Sequence, residues 1–170
     1  MPLSTTIRDI YIRLAEYPNI RDTASLKDAF AVLQSGYATG KPFRHILVLD
    51  ARDQLVGLLG IRELLHGLFP DYLRSDEHHR FEGAQSDFPA LTLIWQETCA
   101  TQCKEAARNP IKGFMAPVPS SVKLSDPLTL AAYLMVIHDT NVLPVVDDHR
   151  VVGVVRMIDV FNEASKAVLQ

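Results

Sequence analysis

Residues 142–155 read VLPVVDDHRVVGVV, two apolar runs on either side of the polar tetrapeptide DDHR. Residues 46–59 read ILVLDARDQLVGLL, with the same order of apolar run, polar turn beginning at an aspartate, and second apolar run containing a glycine. Short apolar runs separated by a polar turn predict a β-hairpin in each segment. The chain therefore contains an internal repeat, and this repeat decides the fold.

An amphipathic helix is predicted on each side of both hairpins. Apolar residues recur at positions i, i+3, i+4 and i+7 in four segments, residues 26–33, 61–68, 128–135 and 157–164. Ser25 and Asp28 are placed to cap the first of these helices. Asp126 is placed to cap the third helix, with Pro127 as its first helical residue. Each hairpin is therefore predicted to lie between two helices.

A short extended stretch before each first helix, around residues 19–21 and 121–124, completes two β-α-β-β-α units. The hairpin strands are apolar at successive positions, so both faces of each small sheet must be shielded from water. The helices of the same repeat can shield only one of these faces. Packing the two sheets together about an approximate two-fold axis covers the other face. The sequence thus predicts an α+β fold with repeats at 5–68 and 110–168, and two equivalent clefts where strand ends meet.

Residues 69–109 do not follow the repeat. Residues 71–87 are charged and poor in aliphatic side chains, which predicts a mobile surface connection. Beyond Pro89, apolar residues at helical spacing continue to Asn109 and predict an inserted helix that carries Trp95. The apolar face of this helix either covers its own domain or contributes to a dimer contact, and the sequence leaves both interpretations open.

Composition excludes several classes of protein. The chain has 170 residues, 48% of them apolar and 22% charged, with a net charge of −3, so we expect a folded protein with no nucleic-acid partner. No apolar run is long enough for a signal core or a membrane span, and the two cysteines, Cys99 and Cys103, are spaced as reduced thiols on one helix face. These features predict a cytoplasmic location without a membrane partner.

The doubled pattern also carries a family resemblance. The segments LPVVD at 143–147, GVVRMID at 153–159 and the lead-in IKGFMAPV at 111–118 resemble the cystathionine β-synthase (CBS) domain, with looser counterparts ILVLD at 46–50 and GLLGIRE at 57–63. Taken as a tandem pair, the resemblance implies a Bateman-type module with an inserted helix between the repeats. Such pairs are regulatory, and they commonly bind adenosine derivatives such as AMP, ATP or S-adenosylmethionine between the two halves.

The resemblance further implies where a ligand binds. The family motif G-h-h-[Ser/Thr]-x-x-Asp provides a hydroxyl for phosphate and a carboxylate for the ribose diol, at a helix start that favours anions. In the second repeat the carboxylate is Asp159, and Arg156 stands in place of the hydroxyl. In the first repeat these positions are Gly60 and Glu63, which makes it the weaker site. The other implied binding residues are Met157, Ala116, Pro117, Val118, Asn141, Val142 and Leu143.

Structural interpretations stand beside these assignments. The alternative for Asp159 is a purely structural role, in which its carboxylate complements the dipole of its own helix. The interpretations open for Arg156 are phosphate binding, filling of the cleft and a surface salt bridge. The insertion also holds His78, His79, Cys99 and Cys103, but their spacing is not that of a structural zinc site, so no metal is predicted.

The sequence therefore predicts a stand-alone, non-enzymatic CBS-pair regulator. We expect a homodimer that senses AMP, ADP, ATP or S-adenosylmethionine in the inter-repeat cleft, has no obligatory cofactor, and signals through an unknown protein target. The alternative is a ligand-free dimeric scaffold or protein-interaction module whose nucleotide sites are degenerate. An enzymatic interpretation finds no support, because the sequence has no phosphate-binding glycine loop, no H-E-x-x-H motif and no recognisable nucleophile setting.

Overall fold

Two β-α-β-β-α units form the protein, seen here in a computed structural model that describes residues 5–71 and 88–169, with the backbone alone for residues 88–91. Apart from Asp71, the predicted surface connection lies outside the described residues, and so do His78 and His79. The elements in chain order are β1 (Ile12–Arg13), β2 (Asn19–Arg21), α1 (Leu26–Ala38), β3 (His45–Leu49), β4 (Leu55–Gly60), α2 (Ile61–Leu68), α3 (Phe88–Ala106), β5 (Val122–Lys123), α4 (Leu128–Ile137), β6 (Val142–Asp147), β7 (Arg150–Arg156) and α5 (Met157–Val168).

Two small mixed sheets organise these elements. The first has the strand order β2-β3-β4 and the second the order β1-β7-β6-β5. In each repeat the short leading strand is parallel to the first hairpin strand, and the hairpin itself is antiparallel. Both predicted hairpins and the α+β class are confirmed.

The helix starts follow local hydrogen bonding. At α1 the Ser25 hydroxyl accepts from the Asp28 N–H at 3.3 Å, and the Asp28 carboxylate accepts from the Ser25 N–H at 2.9 Å, which confirms the predicted cap. At α4 the prediction is wrong by one residue, because Pro127 is itself the N-cap in an extended conformation. The Asp126 carboxylate turns back and accepts from the Lys123 N–H at 2.8 Å, so it closes the end of β5 and does not cap the helix.

The two sheets pack face to face, as predicted. One cluster, here called the inter-sheet cluster, joins residues from both repeats, and its members are all 5% exposed or less: Tyr17, Leu47, Leu58, Val142 and Val154. Two further cores lie on the outer faces, one beneath the helices of each repeat. Each sheet is therefore covered on one face by helices and on the other by its partner sheet.

The segments that lead into the repeats, residues 7–17 and 111–118, are exchanged between them. Ile7 is buried in the core of the second repeat, and β1 pairs with β7 of that repeat. Ile111 is buried in the core of the first repeat, and Ala116 pairs with Leu58 through backbone hydrogen bonds of 2.8 and 2.9 Å. The sequence did not predict this exchange, in which the segment that precedes each repeat packs against the other repeat.

The inserted helix α3 packs on the first repeat. Trp95 meets Phe69, the residue after α2, with ring centres 5.4 Å apart and an interplanar angle of 75°. Leu93 and Ile94 are more than half exposed. Trp95 therefore favours the first of the two interpretations, cover for its own domain. Cys99 and Cys103 lie on one face of α3 as free thiols, with sulfur atoms 3.1 Å apart, as predicted.

The exchange of lead-ins yields a stability prediction at Gly153. A Cβ atom there would overlap the carbonyl oxygen of Ile12, because β1 lies directly on this position of β7. Gly153→Ala should therefore lower the free energy of unfolding by about 1–3 kcal/mol, the usual cost of overpacking. Urea unfolding measures the change. The control is Gly113→Ala, where the new methyl group meets no atom within 4 Å, and an equal loss in both variants would contradict the argument.

Candidate functional site

A cavity of about 540 Å³ lies where the ends of the two sheets meet. The first repeat lines it with Tyr17, Pro42, Arg44 and His45, and the second with Asn141, Val142, Arg156, Met157, Ile158 and Phe161. The strand register explains this placement, because His45 pairs with Gly60 at the end of the first hairpin and Val142 pairs with Arg156 at the corresponding end of the second. We call this space the inter-repeat cavity.

Arg156, which lines the cavity, forms an ion pair with Asp159. Arg156 ends β7 and Asp159 lies in the first turn of α5, and the guanidinium donates to both carboxylate oxygens, with Nε–Oδ2 at 2.7 Å and Nη2–Oδ1 at 2.8 Å. The pair is partly shielded, with the Arg156 side chain 32% exposed and that of Asp159 20% exposed. Hydrogen bonding to Asp159 raises the pKa of Arg156, which is charged in any case. Both oxygens of the predicted ribose-binding carboxylate are therefore bound by Arg156.

Aromatic rings from the first repeat support this arginine. The Arg156 Cζ atom lies 6.0 Å from the centre of the Phe43 ring, within the range of a cation–π contact. Phe43 in turn meets Tyr17 edge to face, with ring centres 5.0 Å apart. Burial raises the pKa of Tyr17 well above its usual value, so its phenol is neutral. Arg156 is thus fixed by a carboxylate of its own repeat and by a ring of the other.

The corresponding residues of the first repeat contact one another. Gly60 donates its N–H to Glu63 Oε2 at 2.7 Å, so this carboxylate caps α2. The His45 ring lies so close to Gly60 that a Cβ atom there would be 3.0 Å from His45 Cδ2. Burial lowers the pKa of His45, although the nearby Glu63 carboxylate acts in the opposite direction. This half therefore presents a neutral histidine and an occupied carboxylate.

The predicted binding residues divide into two groups. Asn141, Val142, Arg156 and Met157 line the inter-repeat cavity, and Asp159 touches it through Arg156. The other predicted residues stand apart from the cavity lining: Gly60, Glu63, Ala116, Pro117, Val118 and Leu143. The exchange of lead-ins is the physical reason for two of them, since Ala116 pairs with β4 and Val118 packs against the inter-sheet cluster, while Leu143 is fully buried in the second core.

Sequence reasoning missed Tyr17, Arg44 and His45, which the first repeat contributes to the cavity. A signal for two of them was present. When the hairpins are aligned at the aspartates that follow their first strands, Asp50 and Asp147, Arg44 and His45 occupy the positions of Asn141 and Val142. The repeat therefore marks them as equivalent to residues that had been assigned to the site. No local pattern marks Tyr17, because its role depends on the exchanged lead-in.

Comparison with known proteins decides the family. The sequence profile of the CBS domain matches residues 5–69 and 111–166. The chain belongs to the CBS domain family. No curated protein matches the sequence closely enough to add to this assignment.

Solved structures agree with a CBS pair. CBSX2 in complex with AMP has a TM-score of 0.64 at 21% identity, with 97% of this chain and 99% of that one covered. The CBS domain pair of protein MJ0100, in complex with 5′-methylthioadenosine and S-adenosyl-L-methionine, has a TM-score of 0.62 at 18% identity, with 96% and 98% covered. The CBS domains of a transcriptional regulator from Streptococcus pneumoniae have a TM-score of 0.61 at 18% identity, with 94% and 98% covered. At these identities the likeness establishes the fold of the pair.

Two further observations concern only the part of the CBS pair that the structure describes. Within residues 5–71 and 88–169, no helix combines the length and the apolar character that a membrane crossing requires. In those same ranges, no three side chains among His, Cys, Asp and Glu converge in a way that would hold a metal ion.

The burial of His45 yields a pH prediction. The unfolded chain takes up a proton on this histidine near pH 6.5, whereas the folded CBS pair resists protonation until a lower pH. The free energy of unfolding should therefore fall as the pH drops below about 6.5. His45→Gln should make this dependence shallower, as urea unfolding at pH 7.5 and pH 5.0 will measure.

The control for this experiment is His138→Gln. His138 follows α4 and is exposed, so its replacement should leave the slope of the wild-type protein unchanged. An identical slope in the wild type and in His45→Gln would show that burial of this ring does not govern the acid sensitivity.

Proposed function

We propose that this protein is a regulatory CBS pair that binds an adenosine-containing ligand in the inter-repeat cavity and signals through a protein partner. The observation that carries the proposal is the cavity itself, because residues of both repeats line it. Related pairs of the same fold were solved with AMP and with S-adenosyl-L-methionine, which supports this class of ligand. A volume of about 540 Å³ lies within the range of small-molecule sites.

The mechanism is a shift in the relative orientation of the repeats. A ligand in the cavity touches Tyr17 and His45 on one side and Met157 and Phe161 on the other. Its affinity therefore depends on how the two repeats are placed relative to each other. A ligand that prefers one orientation stabilises it by the difference in its affinities, and a bound protein that reads the same orientation responds.

The proposal assigns no catalysis to the cavity. A general base needs an available acceptor of suitable pKa. Among the described lining residues, burial lowers the pKa of His45 and so makes it a weaker proton acceptor, and the adjacent Asp159 is already bound through both oxygens by Arg156. These groups suit binding better than proton transfer.

We further propose that the protein is a homodimer that associates through the outer face of α4, here called the α4 face. Its members are apolar and between 36% and 77% exposed: Leu130, Tyr133, Val136 and Ile137. The same positions of α1 are Asp28, Ala31, Gln34 and Ser35, which are typical of a face that remains in water. The two repeats therefore differ on this helix face, which is polar in the first repeat and apolar in the second.

A second copy of the chain is the occupant that suits this face. The four side chains carry no charge, so the face is complementary to itself and requires no ion pairs from a different partner. A two-fold axis brings the same patch of both copies together, which is the commonest arrangement of soluble oligomers. Ile158 and Phe161 of α5 are also exposed and extend the apolar surface up to the cavity.

Ligand binding is tested by thermal unfolding with AMP, ADP, ATP and S-adenosylmethionine at millimolar concentration. At 100 times its Kd a ligand adds about 2.7 kcal/mol to stability. At about 2–4 °C per kcal/mol for a chain of this size, the melting temperature should rise by several degrees. Asn141→Trp, which places a bulky ring at an exposed lining position, should abolish this rise.

The matched control is Ser121→Trp, since Ser121 is exposed and lines a separate cavity at the opposite ends of β6 and β7. This variant should retain the full ligand effect. Unchanged melting temperatures with all four ligands would leave the ligand-free scaffold as the function that fits.

The dimer is tested by sedimentation of the wild type and of Tyr133→Glu. The wild type should sediment as two 19.0 kDa chains, and the variant as one, because each interface would contain two buried unpaired carboxylates. Ala31→Glu, at the equivalent position of α1, is the control and should remain dimeric. A monomeric wild type would overturn the proposed α4 interface.

A further inference from the structure

We propose that the inter-repeat cavity recognises the phosphoryl group of a nucleotide through Arg156 and Arg44 and does not read the ribose diol through Asp159, so that one nucleotide binds per chain and phosphate-free adenosine is rejected. This inference rests on the proposed function, because it specifies the ligand of the same cavity. It departs from the family resemblance, which assigns the diol to the carboxylate at position 159.

The charges around the cavity favour an anion. Arg44 and Arg156 are its two cationic lining residues, one from each repeat, and the lining contains no carboxylate. Within residues 5–71 and 88–169, no carboxylate forms an ion pair with Arg44. A guanidinium matches the geometry of phosphate oxygens and remains charged at every relevant pH.

Arg156 can accept a phosphate without releasing Asp159. A guanidinium has five N–H donors, and the carboxylate uses one on Nε and one on Nη2. No other hydrogen bond to a described residue occupies the remaining donors, and the Phe43 ring and Asp159 hold the group in place from two sides. A phosphoryl group therefore binds to an arginine that is already oriented.

Binding of a ribose diol, in contrast, would disturb the ion pair between Arg156 and Asp159. Each Asp159 oxygen can accept a further hydrogen bond, but Arg156 occupies the side of the carboxylate from which both oxygens are reached together. A diol that engages both oxygens at once must therefore displace these two short hydrogen bonds. The partly buried guanidinium would then lose the only carboxylate that pairs with it among the described residues. Two neutral hydroxyl donors do not compensate for the loss of a charged bidentate partner. The diol is therefore not the group that this cavity is built to bind.

The stoichiometry follows from the difference between the repeats. The position of Arg156 is Gly60 in the first repeat, which has no side chain to offer an anion. The carboxylate equivalent to Asp159 is Glu63, and it caps its own helix through the Gly60 N–H. The His45 ring packs beside this glycine. Only the second repeat therefore has an arginine at this position, and we expect one ligand for each chain.

The test is calorimetric titration of the full chain with four probes: AMP, adenosine, 2′,3′-dideoxy-AMP and inorganic pyrophosphate. AMP and its dideoxy analogue should bind with affinities within about threefold of each other, because the diol is not read. Adenosine should bind at least tenfold more weakly than AMP, and AMP should titrate to one site per chain. Pyrophosphate should bind weakly and compete with AMP.

Two variants connect these affinities to the arginines. Arg44→Gln and Arg156→Gln should each weaken AMP at least tenfold while leaving adenosine nearly unchanged, so that the preference for AMP disappears. Arg44 is exposed, so its replacement tests the inference even if Arg156→Gln folds poorly. Arg150→Gln, at an exposed position at the opposite end of β7, is the control and should bind all four probes as the wild type does.

The outcomes separate the inference from the proposed function. If AMP and adenosine bind equally while the dideoxy analogue does not, Asp159 reads the diol; the inference is then wrong and the proposed function stands. If pyrophosphate binds in an arginine-dependent way but no adenosine compound does, the phosphate site stands and the adenosine-sensing function fails. If no probe binds but S-adenosylmethionine raises the melting temperature, the inference is wrong and the proposed function stands; if that ligand and ATP also have no effect, both are wrong.

Discussion

Mutual burial of two apolar sheet faces is the interaction on which this structure depends. Leu47 and Leu58 from one sheet and Val142 and Val154 from the other are nearly inaccessible to water. Each such side chain contributes about 1.5–3 kcal/mol relative to exposure, so neither sheet would be stable with this face in water. The exchanged lead-ins strengthen the arrangement, because each adds backbone pairing between the repeats. The cavity follows from this packing, since it lies where the packed faces end.

Much of this architecture could be predicted because the information is local. Helical and strand periodicity located both hairpins and all four repeat helices, and the repeat itself showed which sheet faces needed cover. The exchange of lead-ins could not be predicted in the same way. β1 is only two residues long, and nothing in its own sequence selects β7 as its partner. Such a choice depends on tertiary contacts that join distant parts of the chain.

The candidate site shows the same limit. Sequence located Arg156 and Asp159 at the start of a helix but left phosphate binding, cleft filling and a salt bridge as alternatives for the arginine. The structure contains the salt bridge, and the donors that remain on Arg156 keep phosphate binding compatible with it. Tyr17 and Phe43 could not be placed beside this arginine from sequence, because they reach it only after the sheets have packed and the lead-ins have crossed.

The two repeats have diverged into different roles. The first repeat satisfies its own groups, since Glu63 caps α2, His45 packs beside Gly60, and α3 covers the end of the helix pair through Trp95. The second repeat keeps an arginine at the cavity and an uncovered apolar face on α4. Ile158 and Phe161 belong to both regions, because they line the cavity and are exposed beside that face. In the proposed dimer, a ligand that contacted these two side chains would change the surface that a second copy meets, and linkage would then require association to change the affinity for the ligand by the same factor.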